Sequence, residues 1–162
     1  MFALSVCLCL TGLSPLAVAA DKAPAALHID FENQPVQGPV QEIKGDGFTI
    51  KDLDRATLYV RNATSPGVSG KYLHIESKFV PRVQIRPEKP FASASVDYSR
   101  PESSPGVMFY CGRDDGTFVF LPMSGQQGRS TCEADGKPFD VIYMGVKSGV
   151  EAWFRVDNID FK

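Results

Sequence analysis

The chain alternates apolar and polar residues in short runs. Near its C-terminal end, Val150 to Phe161 reads VEAWFRVDNIDF. Phe154 and Val156 alternate with Trp153, Arg155 and Asp157, the period-two signature of a strand with one buried face. The phase slips at Asp157–Asn158 and resumes at Ile159 and Phe161, which predicts a β-bulge. Near the other end, LHIDFEN sets Leu27, Ile29 and Phe31 against His28, Asp30 and Glu32. Two terminal segments with the same alternation predict an antiparallel pair, Leu27–Glu32 against Ala152–Phe161.

Between them, Asn33–Pro39 contains two prolines and a glycine and reads as loop. Asp46-Gly47 is a turn feeding a short strand that ends at Ile50. Thr57–Arg61, Tyr72–Glu76 and Phe91–Tyr98 alternate as strands, the last with Ala92, Ala94, Val96 and Tyr98 on one face. Val80–Arg86 is bracketed by Pro81 and Pro87, which points to a sheet edge. Asn62–Gly70 is a polar loop able to rim a binding site. Val107–Cys111 and Thr117–Leu121 flank Gly112–Gly116, the clearest hairpin in the chain, with Asp-Gly at its turn. Ser124–Gly128 reads as loop, Phe139–Met144 as the penultimate strand, and Lys147-Ser148-Gly149 as the turn into the last. The sum is about eight to ten short strands without a helix, an all-β antiparallel sandwich.

The N-terminal stretch predicts export, with a transmembrane anchor as the alternative. Phe2 to Ala20 is apolar, and Ala17 and Ala19 fit a small-residue cleavage site ahead of Asp21-Lys22. The expectation is a signal peptide over residues 1–20, one domain over residues 21–162, and a secreted or periplasmic product. Gly12 and Pro15 interrupt the run, and it is barely long enough to span a bilayer, so no stable membrane insertion is expected after cleavage. All the charged residues follow the cut, so the mature charge is also −2. That excludes the basic field needed for nucleic acid. Cys7 and Cys9 leave with the signal. Cys111 and Cys132 remain and are expected to form a disulfide.

The chemistry in the motifs is sparse. There is no G-x-S-x-G, no H-E-x-x-H and no phosphate-binding glycine loop. An enzyme is therefore not expected, and a hydrolase lacks a visible constellation. Asp30, Glu32, Asp157 and Asp160 form an all-oxygen set that the terminal strand pair would bring together, and calcium is the cation such a set suits. The alternatives are a solvated acidic face, or a direct pair between Arg155 and Glu32. Tyr59, Tyr72, Tyr98, Tyr110, Tyr143 and Trp153 are candidate flat platforms for a sugar ring. Tyr59 and Tyr72 share polar strand faces, and Trp153 beside Arg155 is the best single candidate.

Four stretches occur in a familiar order: Ile29-Asp30-Phe31-Glu32, Ala94-Ser95-Val96-Asp97-Tyr98, Arg113-Asp114-Asp115-Gly116 and Phe154-Arg155-Val156-Asp157-Asn158-Ile159. In this order the chain resembles secreted bacterial jelly rolls of the galactose-binding-like, carbohydrate-binding-module type. That resemblance implies a structural calcium between the first and last strands, held by Asp30 or Glu32 with Asp157 or Asp160. It also implies a non-enzymatic domain that binds carbohydrate or another cell-envelope component. The competing reading is a periplasmic protein-binding module, an inhibitor or immunity protein of an exported enzyme, acting through Asn62–Gly70 or Gly112–Gly116.

Overall fold

The computed structural model describes residues 26–54, 56–63, 70–77, 82–104, 106–146 and 152–162. The expected signal peptide, the middle of the Asn62–Gly70 loop and the Lys147–Gly149 turn lie outside them. The described chain is all β. Its strands are β1 (Leu27–Ile29), β2 (Gln37–Val40), β3 (Glu42–Gly45), β4 (Phe48–Asp52), β5 (Thr57–Asn62), β6 (Lys71–Ser77), β7 (Arg82–Pro87), β8 (Ser93–Ser99), β9 (Val107–Gly112), β10 (Phe118–Leu121), β11 (Gln127–Glu133), β12 (Val141–Val146) and β13 (Ala152–Phe161). They form two antiparallel sheets. The terminal sheet runs β11-β8-β13-β6-β5-β2, with β1 added beside β13. The facing sheet runs β10-β9-β12-β7-β4-β3.

Alternation explains the core. Leu58 and Val60, Leu73 and Ile75, Val96, Phe154 and Val156 project inward from the terminal sheet and are fully or almost fully buried. They meet Ile50, Val83, Ile85, Phe109, Ile142 and Met144 from the facing sheet in one continuous cluster. Burying a side chain of this size contributes roughly 1.5–3 kcal/mol relative to exposure. The sheets are also tied covalently, because Cys111 on β9 and Cys132 on β11 form the expected disulfide across 21 positions of sequence.

β13 organises the terminal sheet as its sequence pattern implies. One edge pairs with β8. The other pairs first with β6, over Ala152–Val156, and then with β1, through Leu27↔Phe161, His28↔Asp160 and Ile29↔Ile159. The register slips between Asp157 and Ile159, at the expected bulge. Asn158 sits at φ 43°, a left-handed position that asparagine tolerates better than most residues.

Other expectations are corrected. The first strand ends at Ile29, because Phe31 turns out of the extended region at φ 62° and the Glu32 N–H closes onto Asp30 Oδ1 at 3.0 Å. Asp30 and Glu32 therefore do not project from one strand face. Asn33–Pro39 is loop only as far as β2, whose Gln37 and Val40 pair with β5. β7 is not an edge: it lies between β12 and β4, with Pro87 ending the strand and leaving the ladder intact. The loop expected over Ser124–Gly128 gives way at Gln127 to β11, which pairs with β8. Ala92 is exposed, out of phase with buried Ala94, Val96 and Tyr98.

Candidate functional site

The outer face of the terminal sheet gathers the four residues expected to bind ligand. Tyr59 on β5, Tyr72 on β6, and Trp153 and Arg155 on β13 lie around His74, a residue the sequence reading passed over. His74 pairs in register with Tyr59 on one side and Arg155 on the other. Its ring centroid lies 5.9 Å from Tyr59, 6.3 Å from Tyr72 and 5.6 Å from Trp153. Each of the three rings has a guanidinium against it. The Arg61 guanidinium sits 4.2 Å above Tyr59, and that of Arg155 lies 5.1 Å from both the Tyr72 and Trp153 rings. Such stacking is worth about 0.5–2 kcal/mol according to exposure. His74 Nε2 meets Glu76 Oε1 at 2.8 Å, and Arg61 reaches the same oxygen at 3.2 Å. Burial holds the His74 pKa below the ordinary histidine value despite the Glu76 hydrogen bond. The ring is therefore neutral near pH 7, with the proton on Nε2.

The four acidic residues expected to bind a cation divide into two groups. Asp160 is committed to neighbouring donors: His28 Nδ1 at 2.7 Å, the Ser95 hydroxyl at 3.3 Å, and the Arg129 guanidinium. Its oxygens are thus engaged by these donors. Glu32 Oε1 accepts the Lys71 N–H at 2.7 Å, so its partner is Lys71 and not Arg155. Asp157 is 4% exposed, and its pKa is pushed up to about 6 by burial, with Asp97, Glu32 and Asp30 adding like charge. The Asn158 N–H donates to Asp157 Oδ1 at 2.9 Å, which opposes the shift without cancelling it. Among the described residues, no three acidic, histidine or cysteine side chains converge as metal ligands.

A second surface lies on the outer face of the facing sheet, near its β10 edge. Phe118 and Phe120 point outward and are 55% and 58% exposed. Phe120 lies opposite Tyr110 on β9, and Tyr110 lies opposite Tyr143 on β12. The two tyrosine rings stack at 5.3 Å and 30°. Phe118 and Phe120 pack edge-to-face at 5.5 Å, and both rings touch Tyr110. The row continues in register through Gln84, Lys51 and Glu42. Charges on this face are paired, with one cation in excess: Lys44 and Lys51 on Glu42, Arg82 on Asp54, and Arg86 on Asp114. The face therefore offers aromatic rings and polar groups with little net charge. Tyr110 and Tyr143 were among the expected platforms, whereas Phe118 and Phe120 were not singled out. Their signal was alternation with an exposed outer face at a hairpin edge. Tyr98, another expected platform, faces the core and donates its hydroxyl to the Ser124 carbonyl at 2.8 Å.

The hairpin that carries these phenylalanines is pinned at its turn. Arg113 is buried, and its guanidinium stacks 4.5 Å from the Phe139 ring. It donates to Asp135 Oδ1, the Lys137 and Pro138 carbonyls and Thr117 Oγ1. Asp114 pairs with Arg86, and Asp115 with Lys137.

No family model and no curated protein sequence matches this chain. Solved structures do match its fold. A variant of CBM29-2, a family 29 carbohydrate-binding module, complexed with mannohexaose aligns over 84% of this chain and 91% of its own, with a TM-score of 0.56 at 13% identity. Another CBM29-2 variant, complexed with cellulohexaose, aligns over 84% of this chain and 90% of its own, with a TM-score of 0.53 at 13% identity. An exo-β-agarase aligns over 85% of this chain but only 25% of its own, with a TM-score of 0.58 at 14% identity. The chain thus has the jelly-roll sandwich architecture found in carbohydrate-binding modules.

Proposed function

We propose that this protein is a non-catalytic carbohydrate-binding domain, secreted or periplasmic, whose platform is the aromatic row Phe118, Phe120, Tyr110 and Tyr143. The observation that carries the reading is the solvent exposure of two phenylalanines on a strand whose neighbours hold them rigidly. Large aromatic side chains left in water on a fixed scaffold mark a binding surface. Sugars offer apolar ring faces to stack on such residues and hydroxyls for the polar groups that follow in the row. The low net charge of the face favours an uncharged glycan, and mannohexaose and cellulohexaose in the fold neighbours are ligands of that kind. The disulfide supports an oxidising compartment.

The inhibitor or immunity reading has less support. The charges of the Gly112–Gly116 turn are committed internally, which leaves few groups to recognise a protein target. Calcium beside Asp157 is also part of the proposal. The Asp160 oxygens are engaged by His28, Ser95 and Arg129, so Asp157 would be the central ligand, with Asp30 and Glu32 nearby and backbone carbonyls completing the shell. Affinity electrophoresis through gels containing mannan, soluble β-glucan or agarose tests the main reading. The expected result is retardation in at least one neutral polysaccharide. Unretarded migration in every gel would remove it.

A further inference from the structure

The outer face of the terminal sheet carries a separate anomaly. Among the described residues, three buried side-chain nitrogens lack a hydrogen-bond partner: His74 Nδ1, Arg100 Nε and Arg155 Nε. Buried polar atoms are nearly always paired, so each exception needs a cause. Two of them, on His74 and Arg155, belong to one neighbourhood. Arg155 pairs across β6 with His74 and across β8 with Ser99, the residue before Arg100. Arg100 Nη1 donates to the Ser104 carbonyl at 3.0 Å, and the Trp153 N–H donates to Ser104 Oγ at 3.3 Å. Of the three, His74 and Arg155 flank Trp153, with the His74 ring centroid 5.6 Å and the Arg155 guanidinium 5.1 Å from the indole.

The charges there do not balance. Arg61, Arg82, Arg86, Arg113 and Arg129 each have a carboxylate partner. Among the described residues, none pairs with Arg100 or Arg155. The nearby acid, Glu76, already serves His74 and Arg61. A face whose Arg155 guanidinium has no carboxylate partner among the described residues is complementary to an anion, and a guanidinium fork matches a carboxylate in shape. His74 adds a further requirement. Its Nε2 proton is directed at Glu76, so Nδ1 presents a lone pair that seeks a donor. His74 is 5% exposed, so this atom is an unmet acceptor within a nearly closed wall. A ligand that satisfies the site must bring an anionic acceptor, a hydroxyl donor and an apolar face for the indole.

We propose that Trp153, Arg155 and His74 form a second saccharide site, on the sheet opposite the neutral platform, that takes an acidic sugar through its uronate carboxylate. The carboxylate lies against the Arg155 guanidinium, the sugar ring lies on Trp153, and a hydroxyl serves His74. An acidic peptide would offer the carboxylate but not the hydroxyl-rich ring. The site is independent of the Phe118–Tyr143 surface, so either reading can fail without the other.

Trp153 is the chain's single tryptophan, so its fluorescence reports this site alone. The full mature chain is titrated with oligogalacturonate, oligomannuronate and oligoglucuronate, with their carboxyl-reduced counterparts, and with polyglutamate. The expected result is a saturable fluorescence change with at least one uronate, weakened by added salt and absent with its reduced counterpart. Arg155→Gln weakens binding about tenfold or more, and Arg155→Lys weakens it less, because charge remains but the fork is lost. The double variant Phe118→Ala/Phe120→Ala binds the uronate as the wild type does. Melting curves confirm that each variant is folded, and Arg155→Lys is the second probe if Arg155→Gln is not. The proposal is overturned if no uronate changes the fluorescence, if reduced oligomers or polyglutamate bind equally well, or if the folded arginine variants bind with unchanged affinity.

Discussion

At the scale of single residues, Asp157 carries the sharpest prediction. Its folded pKa of about 6 lies above the ordinary value of 3.8 because burial and neighbouring carboxylates disfavour the charge. The native state therefore binds the proton more tightly than the unfolded state. Stability from this group is full below the unfolded value, declines as pH rises from there through about 6, and is flat above. The difference amounts to at most about 3 kcal/mol. In chelator, Asp157→Asn keeps the acceptor for the Asn158 N–H and removes the penalty. Urea unfolding should find the variant more stable than wild type at pH 7.5 and equal to it at pH 3.5. Equal stability at both pH values would show that Asp157 is not strained. Calcium reverses the balance if it binds here: it raises the wild-type melting temperature at pH 7.5 and leaves Asp157→Asn unmoved. No shift in wild type removes the metal.

At the scale of elements, the sequence was readable wherever the determinant was local. Asp157-Asn158 broke the alternation of β13, and the bulge lies there. Asp46-Gly47 and Asp115-Gly116 marked tight turns, and hairpins form around both, each with its glycine at positive φ. β11 was missed because QGRSTCE turns only Ser130 and Cys132 inward, so its buried face carries no large apolar residue. β7 was misplaced at an edge because sheet order depends on partners distant in sequence. The binding faces divide in the same way. Strand alternation put Tyr59, Tyr72, Trp153 and Arg155 on polar faces, but their convergence on His74 needed the β6–β13 pairing. The β9–β10 hairpin owes its rigidity to Arg113, whose buried guanidinium has partners that water cannot replace. Arg113→Ala should cost about 3 kcal/mol in urea unfolding, and it should weaken glycan binding at Phe118 and Phe120 even where the protein stays folded. Unchanged stability and binding would make the arginine incidental.

At the scale of the molecule, the sandwich holds two chemically different faces back to back. The outer face of the facing sheet is aromatic with little net charge, and the terminal sheet carries beside its tryptophan the Arg155 guanidinium, which has no carboxylate partner among the described residues. One disulfide fastens the sheets near the edge where β10 and β11 lie. Closing its loop stabilises the fold by roughly 3 kcal/mol on the chain-entropy account. Cys111→Ala/Cys132→Ala should lower the urea midpoint accordingly, and the same midpoint for both proteins would show that the bridge adds nothing. The central claim is that the exposed aromatic row binds neutral glycan, and isothermal titration calorimetry of Phe118→Ala/Phe120→Ala against wild type tests it most directly. The titrant is an oligosaccharide of whichever neutral polysaccharide retards the wild-type protein. Losing both rings should weaken binding by about 2 kcal/mol or more, on the order of thirtyfold, with the melting temperature little changed. Undiminished affinity in the folded double variant would contradict the account.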